Sequence, residues 1–302
     1  MSVSIVVVSW NSAADIGESV RSGREQGAEV IVVDNASSDN SPEVARRAGA
    51  NVVIEAGGNL GFGRGCNLGL ERASGGLILF LNPDARLEPG AVDGIERFFQ
   101  EHPDADIVGP AIHDESGRKL RSAGPPWSLA MEVLNKTVLH RLLPGPAGTL
   151  KVGWVTGAAL AGRTESVRRL GGFDPKIFLY YEDLDLGARA RAQGMSIWFT
   201  DSVGVVHKGK RSSNRVEERA LVASHLSAEH YWRKHGGQFS WIVFRAITIP
   251  EMVLRALMWS LLALSPSRRT QARGRLRAYR RILAIAVRGQ DSEDSPDFHQ
   301  AS

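Results

Sequence analysis

At 302 residues, 43% of them hydrophobic, the chain can bury a large core and exceeds an ordinary single domain of ~100–200 residues, so one large domain with an appendage is expected. Its lone cysteine, Cys66, excludes internal disulfides and multi-cysteine metal centres and suits a reducing compartment. The net charge of +4 is uneven: Arg outnumbers Lys 30 to 7, and between Glu251 and Asp291 stand nine arginines and no acid, so the excess positive charge is C-terminal.

Met1 to Ser4 leads at once into an apolar strand over 4–9, without the basic stretch and cleavage site of an export leader, so a cytoplasmic location is expected. Trp10-Asn11-Ser12 breaks that strand before a helix from Ala13 to Gly27. Residues 28–33 form a second strand closing on Asp34-Asn35-Ala36-Ser37-Ser38-Asp39; 42–48 reads as a helix and 51–54 as a third strand. Strands alternating with helices mean an α/β fold with a parallel sheet and helices on both faces. An acid ending the second strand also suits dinucleotide-binding folds. The turn Ser9-Trp10-Asn11-Ser12-Ala13 lacks the glycines that let a backbone approach a pyrophosphate, and that reading is set aside. A buried carboxylate at this edge can accept the ring N–H of uracil or thymine, which makes Asp34 a candidate reader of a pyrimidine base.

Residues 57–69 are glycine-rich and are expected to form a flexible turn, flanked by Asn59 and Asn67, that opens a helix over 66–73. Its backbone N–H groups and Arg64 would meet a diphosphate or the base; the alternative is a hairpin whose asparagines satisfy its own backbone. Next, Leu77-Ile78-Leu79-Phe80-Leu81 runs straight into Asn82-Pro83-Asp84. A short apolar run bounded by turn residues reads as a buried strand, and Pro83 forbids both further pairing and a helical Asn82. Asp84 therefore sits at the carboxyl end of a central strand, where open α/β sheets bind ligands, and is a candidate metal-holding carboxylate unless Asn-Pro-Asp is only a turn. A helix to His102, a strand over 107–112 and a hairpin turn over 114–118 follow, the last giving the sheet mixed character. Trp127, Ala130, Met131, Leu134, Val138 and Leu142 recur at helical spacing, either packing on the domain or bordering an acceptor site. Residues 153–163 read as a strand with a small-residue turn, and 164–170 as a helix. Glu182, Asp183 and Asp185 open a helix to Gln193, as dipole complements or as reactive carboxylates. Two short strands, 196–199 and 203–206, end at His207, a candidate to complete a metal site begun by Asp84.

In order, Val8-Ser9-Trp10-Asn11, Val33-Asp34-Asn35-Ala36-Ser37-Ser38-Asp39, Asn59-Leu60-Gly61-Phe62 with Asn67-Leu68-Gly69, Leu81-Asn82-Pro83-Asp84, Gly171-Gly172-Phe173-Asp174, Tyr181-Glu182-Asp183-Leu184-Asp185-Leu186 and His207 resemble the family 2 glycosyltransferases, in their rhamnosyltransferase-like branch. The resemblance runs from Val3 to about Ser213. It implies a GT-A fold with a mixed central sheet, a nucleotide-diphospho-sugar donor, Mg2+ or Mn2+, and inversion at the anomeric carbon. Carried over by position, it makes Asp34 a ligand of the base, Asp84 of the metal, His207 a further metal or diphosphate ligand, and Asp183 the catalytic base. Ser9, Asn11, Asn59, Gly61, Arg64, Asn67 and Asn82 would line the nucleotide sugar. Asn82 stands where many members of the wider family carry the first Asp of an Asp-x-Asp motif, so weaker cation binding is expected.

Residues 238–264 are apolar, yet Arg245, Pro250, Glu251 and Arg255 interrupt them, and no uncharged run reaches the ~18–20 residues of a spanning helix. From Arg268 to Arg288, Ala272, Leu276, Tyr279, Leu283 and Ala286 recur on one side and Arg273, Arg277, Arg280 and Arg281 on the other. That pattern is expected to lie on anionic lipid; a helix packed on the domain and a nucleic-acid patch are the alternatives. The preceding apolar segment favours lipid and no nucleic acid. The expected organisation is a GT-A domain over 1–236, membrane-associating helices over 237–288 and a disordered tail over 289–302. The implied activity is transfer of L-rhamnose from dTDP-rhamnose to a polyprenyl-diphosphate-linked or other cell-envelope glycan at the inner membrane face. A UDP-hexosyl or galactofuranosyl transferase and an inactive nucleotide-sugar binding module are the alternatives.

Overall fold

A computed structural model describes residues 1–137, 145–209 and 217–288. The described residues divide into two compact units, one of 1–175 with 182–209, the other of 176–181 with 217–288. The expected boundary at 236 falls inside the second unit, and the expected tail lies outside the described residues.

In the first unit, β1 (Val3–Ser9), α1 (Ile16–Arg24), β2 (Glu29–Asp34), α2 (Ser41–Arg47), β3 (Val52–Glu55), α3 (Phe62–Arg72) and β4 (Leu77–Leu81) alternate as expected. Then come β5 (Ala85–Leu87), α4 (Ala91–Glu101), β6 (Ile107–His113), β7 (Lys119–Leu120), β8 (Ala123–Gly124), α5 (Leu129–Lys136) and β9 (Leu150–Lys151). The unit closes with β10 (Trp154–Val155), β11 (Ala159–Arg163), α6 (Thr164–Arg169), α7 (Glu182–Ala192) and β12 (Ile197–His207). The main sheet runs β3-β2-β1-β4-β11-β6-β12-β5. It is parallel through β3, β2, β1 and β4, while β11 is antiparallel to both β4 and β6. β1 and β4 read as continuous apolar runs because both faces are covered: Ile5, Val7, Leu79 and Leu81 enter one core cluster, Val6, Val8, Ile78 and Phe80 the other.

Three differences from the sequence reading stand out in the first unit. The expected pair of strands before His207 is one strand, β12, with an irregularity between Thr200 and Gly204. The run 153–163 splits, because β10 pairs with β8 and only β11 joins the main sheet. Residues 61–69 are not a flexible turn: α3 begins at Phe62, so Arg64 and Asn67 lie inside it. A Cβ on Gly65 would meet Val8 Cγ1 at 2.8 Å, and one on Gly69 would run into Val6 Cγ1, so these glycines let the helix lie close on β1. α5 ends at Lys136, and the remainder of its expected stripe, Val138 and Leu142, lies outside the described residues.

The second unit holds α8 (Glu217–His235), α9 (Gly237–Leu262) and α10 (Arg269–Arg288). Val222 and Leu226 of α8, Met252 and Trp259 of α9, and Ala272, Ala278, Tyr279, Ile282 and Ile285 of α10 form its core. Inside it Glu229 accepts from Trp241 Nε1 at 3.0 Å and faces Arg245 Nε at 3.4 Å, and Arg245 also donates to Ile285 O. The apolar stripe of α10 is thus consumed within the bundle: Ala272, Tyr279 and Ala286 are buried and Leu276 and Leu283 pack on the core. This corrects the expectation that it faces lipid.

Candidate active site

The pairing places Ser9, Asp34, the Asn82–Asp84 turn and His207 at one edge. β1 and β2 are parallel with Ser9 opposite Asp34; β11 starts at Ala159 opposite Leu81, the last residue of β4; and β12 runs parallel to β6 and ends at His207. The carboxyl ends of β1, β2, β4, β6 and β12 and the start of β11 therefore line up.

Only Asn82-Pro83-Asp84 separates β4 from β5, whose Ala85 pairs with His207. In a flat sheet, four strand spacings would set β5 about 19 Å from β4. Four Cα steps cover at most about 15 Å, so the sheet curls back. That curl brings Asp84 Oδ1 to 3.0 Å from His207 Nε2, with Asn82 Nδ2 at 3.3 Å from the same nitrogen. The imidazole tautomer decides which bond forms: protonated at Nε2 it donates to Asp84, unprotonated it accepts from Asn82. Asp84 is buried, its carbonyl accepts from Lys208 N, and the Lys208 ammonium is held by Asp15 and Glu18. Those acids raise the Lys208 pKa, and the lysine in turn holds Glu18 below the usual carboxylate range.

The residues present fit a divalent cation only in part. Asp84 and His207 stand as far apart as two neighbouring ligands of an octahedral ion, about 3 Å when each is ~2.1 Å from the metal. Among the described residues no cluster of three or more His, Cys, Asp or Glu is able to hold a metal, so other ligands would have to be phosphate or water.

On the other side of Asn82, its N–H donates to Ala158 O, tying the Asn-Pro-Asp turn to the Thr156–Ala158 turn. That second turn holds Asp183, whose Oδ2 accepts from Gly157 N at 3.1 Å and Oδ1 from Leu184 N at 2.8 Å, with the Thr156 hydroxyl a further donor. Burial nevertheless raises the Asp183 pKa, outweighing these bonds. Glu182 is buried more deeply, Oε2 has no partner, and desolvation with the Asp183 charge pushes its pKa up to about 8. Asp185 is fully buried and paired at 2.7 Å with Arg189, which also donates to Leu170 O and Gly172 O, so it locks α7 to the preceding turn.

At the β1–β2 end, Asp34 accepts from Ser37 N at 2.8 Å and Ser37 Oγ at 2.6 Å, and Asn11 Oδ1 caps Ser38 N at 2.8 Å. Asn11 (φ 51) and Ala36 (φ 57) sit in the left-handed region, backbone strain stored on the ligand edge. Ser9 Oγ and Asn35 Oδ1 are buried without partners; Asn35, outside the expected set, also donates to Gly61 O at 3.0 Å. Asn59 Oδ1 accepts from Gly61 N, whose φ of 85 precedes α3, and Arg64 is exposed. Asn67 is reassigned from ligand to clasp. Its amide donates to Phe173 O and accepts from Phe173 N, both at 2.8 Å. Asn35 was legible only as part of a polar turn, and Thr156 only as part of a small-residue one.

Residues 4–155 match the family described as glycosyl transferase family 2. An N-acetylglucosaminyl-diphospho-decaprenol L-rhamnosyltransferase of Mycobacterium tuberculosis is 30% identical over 238 residues, 68% of this chain and 73% of the relative. The low-salt glycan biosynthesis hexosyltransferase Agl10 of Haloferax volcanii is 26% identical over 227 residues, 73% and 71% of the two chains. Among solved structures, the mannosyltransferase PcManGT of Pyrobaculum calidifontis with GDP-Man and Mn2+ aligns at TM-score 0.52 and 19% identity, covering 96% of this chain and 88% of its own. S. aureus TarS 1-349 with UDP-GlcNAc aligns at 0.52 and 18%, covering 97% and 93%. These two likenesses show the fold, GT-A.

Proposed function

The chain belongs to glycosyl transferase family 2, and we propose that it is an inverting, metal-dependent enzyme moving L-rhamnose from dTDP-rhamnose to a polyprenyl-diphosphate-linked or other cell-envelope glycan. The observation that carries this reading is the bond from Asn82 N to Ala158 O, which sets the Asp183 carboxylate and the Asp84–His207 pair on adjoining turns. In this reading one would accept a proton, and the other would hold a cation that meets the charge of the diphosphate.

In the proposed reaction Asp183 takes the proton of the acceptor hydroxyl as that oxygen attacks the anomeric carbon. The bond from that carbon to the diphosphate breaks, and the nucleoside diphosphate leaves with the electron pair. A raised pKa strengthens Asp183 as an acceptor, and a single displacement inverts the anomeric centre. A divalent cation, Mg2+ or Mn2+, held by Asp84 and His207, would neutralise charge on the leaving diphosphate. Asp34 supports a pyrimidine donor, since each carboxylate oxygen keeps a second lone pair beyond its bond to Ser37. L-Rhamnose and the lipid-linked acceptor are supported by the mycobacterial relative, whose name carries both. A peripheral site of action at the inner membrane face belongs to the same reading; no described helix is long and apolar enough to cross a membrane.

The test is a panel of dTDP-, UDP- and GDP-sugars with Mg2+, Mn2+ or chelator, read by thermal shift and by nucleoside diphosphate release. Stabilisation and cation-dependent turnover of dTDP-rhamnose are expected. Preference for a UDP-hexose would make the chain a different hexosyltransferase, and binding without turnover in the presence of acceptor would make it an inactive module.

A further inference from the structure

Apart from Val287 of α10, the large exposed apolar residues described in the C-terminal helices are gathered on one face of α9 and at Leu264 just after it. Phe239 is 77% exposed, Leu254 68%, Leu257 60%, Leu261 70% and the following Leu264 76%, with Ile242 also exposed. Spacings of three, four and seven residues set them on one side of the helix, over about 33 Å from Phe239 to Leu261. The opposite side, with Phe244, Thr248, Met252 and Trp259, is buried. The charged groups that break the apolar run in sequence do not break this face. Arg245 turns to Glu229 and Ile285 O, and Arg255 pairs with Glu251 at 2.9 Å. Ser260, which lies among the exposed residues, returns its hydroxyl to Ala256 O.

A lipid surface requires apolar area with charge nearby, and this ridge supplies the area. The charge is present: beyond Leu264 the chain passes into Arg268, Arg269 and Arg273, all exposed, and no acid stands between Glu251 and Asp291. We propose that the outward face of α9 docks the protein on an anionic bilayer, the helix lying in the headgroup region without crossing it. For its purpose this rests on the lipid-linked acceptor proposed above; its test does not.

The full-length protein is sedimented with phosphatidylcholine vesicles, with and without phosphatidylglycerol. The parent is expected to bind the anionic vesicles and to bind less as salt rises. Combined Leu254→Ser, Leu257→Ser and Leu261→Ser substitutions should lower partitioning at least about tenfold, with helicity and donor turnover unchanged. Arg268→Gln, Arg269→Gln and Arg273→Gln together should remove the preference for anionic over neutral vesicles. Because Cys66 is buried, a Leu257→Cys variant accepts an environment-sensitive dye selectively, and its emission should shift to the blue on vesicles. Docking without sugar transfer would leave this proposal standing and remove the enzymatic reading. Equal binding by parent and triple-Leu variant, no binding at low salt, or a dimer that the triple-Leu variant splits while vesicle binding persists would overturn it.

Discussion

Glu182 and Asp183 are adjacent in sequence and differ in surroundings, and their roles separate on that ground. Asp183 has donors on both oxygens, whereas Glu182 has a buried oxygen with none. Asp183→Asn is expected to keep donor affinity and to lower transfer by ~10²–10⁴-fold, the range for losing a general base, read as kcat against donor Kd. Near-parental transfer by that variant would move the base elsewhere. For Glu182 the expected signature is in stability. From its ordinary value of 4.5 up to about 8, the unfolded chain has released this proton while the folded protein retains it. The contribution of Glu182 to stability is therefore complete below pH 4.5 and lost as pH rises toward about 8. Glu182→Gln has no proton to lose, so its Tm should rise relative to the parent as pH increases, and a constant difference between the two would refute this. Asp34→Asn keeps the shape of the carboxylate but presents a donor to the base. It should weaken dTDP binding ~10–100-fold by calorimetry, the loss for a hydrogen bond to a charged group, with GDP-sugar binding unaffected.

At the scale of elements, α3 shows how a glycine-rich sequence misleads. Gly65 and Gly69 face β1 one helical turn apart, and each removes a Cβ that Val8 or Val6 would otherwise meet. Gly69→Ala is expected to destabilise by ~1–3 kcal/mol or more through overpacking, measured by denaturant unfolding, whereas Gly57→Ala, with nothing near its Cβ, meets only backbone strain at φ 72. α10 misleads in the opposite direction. Its basic amphipathic pattern is that of a helix on lipid, but a bundle and a bilayer both require an apolar face, and periodicity does not distinguish them. Arg277, on the polar side, pairs with Glu218 of α8 at 2.9 Å, as a helix packed against protein would.

For the whole molecule, the two units carry separate cores, and the second depends on all three of its helices. Ending the chain after Leu264 would uncover Val222, Leu226, Met252 and Trp259. The truncated protein is expected to lose more helical signal in far-UV circular dichroism than α10 itself accounts for. A loss matching α10 alone would show that α8 and α9 are stable as a pair. In the first unit, the curl that returns β5 to the end of β4 makes Asp84 and His207 neighbours although 123 residues separate them.

The order of elements from β1 to β4, the parallel half of the sheet and the strand-end positions of Asp34, Asp84 and His207 were legible in the sequence, whereas β5 and the short strands β7 to β9 were not. Apolar runs, turn residues and Pro83 act locally and leave local signatures. What the tertiary structure alone decided were relations between distant segments. Asn67 reads like a loop ligand but clasps Phe173, and Asp185 reads like Asp183 but is locked to Arg189. The Asp183 pKa is raised by burial, which depends on what the rest of the chain packs around a carboxylate. Likewise the apolar face exposed by the C-terminal helices belongs mainly to α9, with only Val287 exposed on α10, since packing three amphipathic helices leaves uncovered whichever apolar surface exceeds what the other two bury.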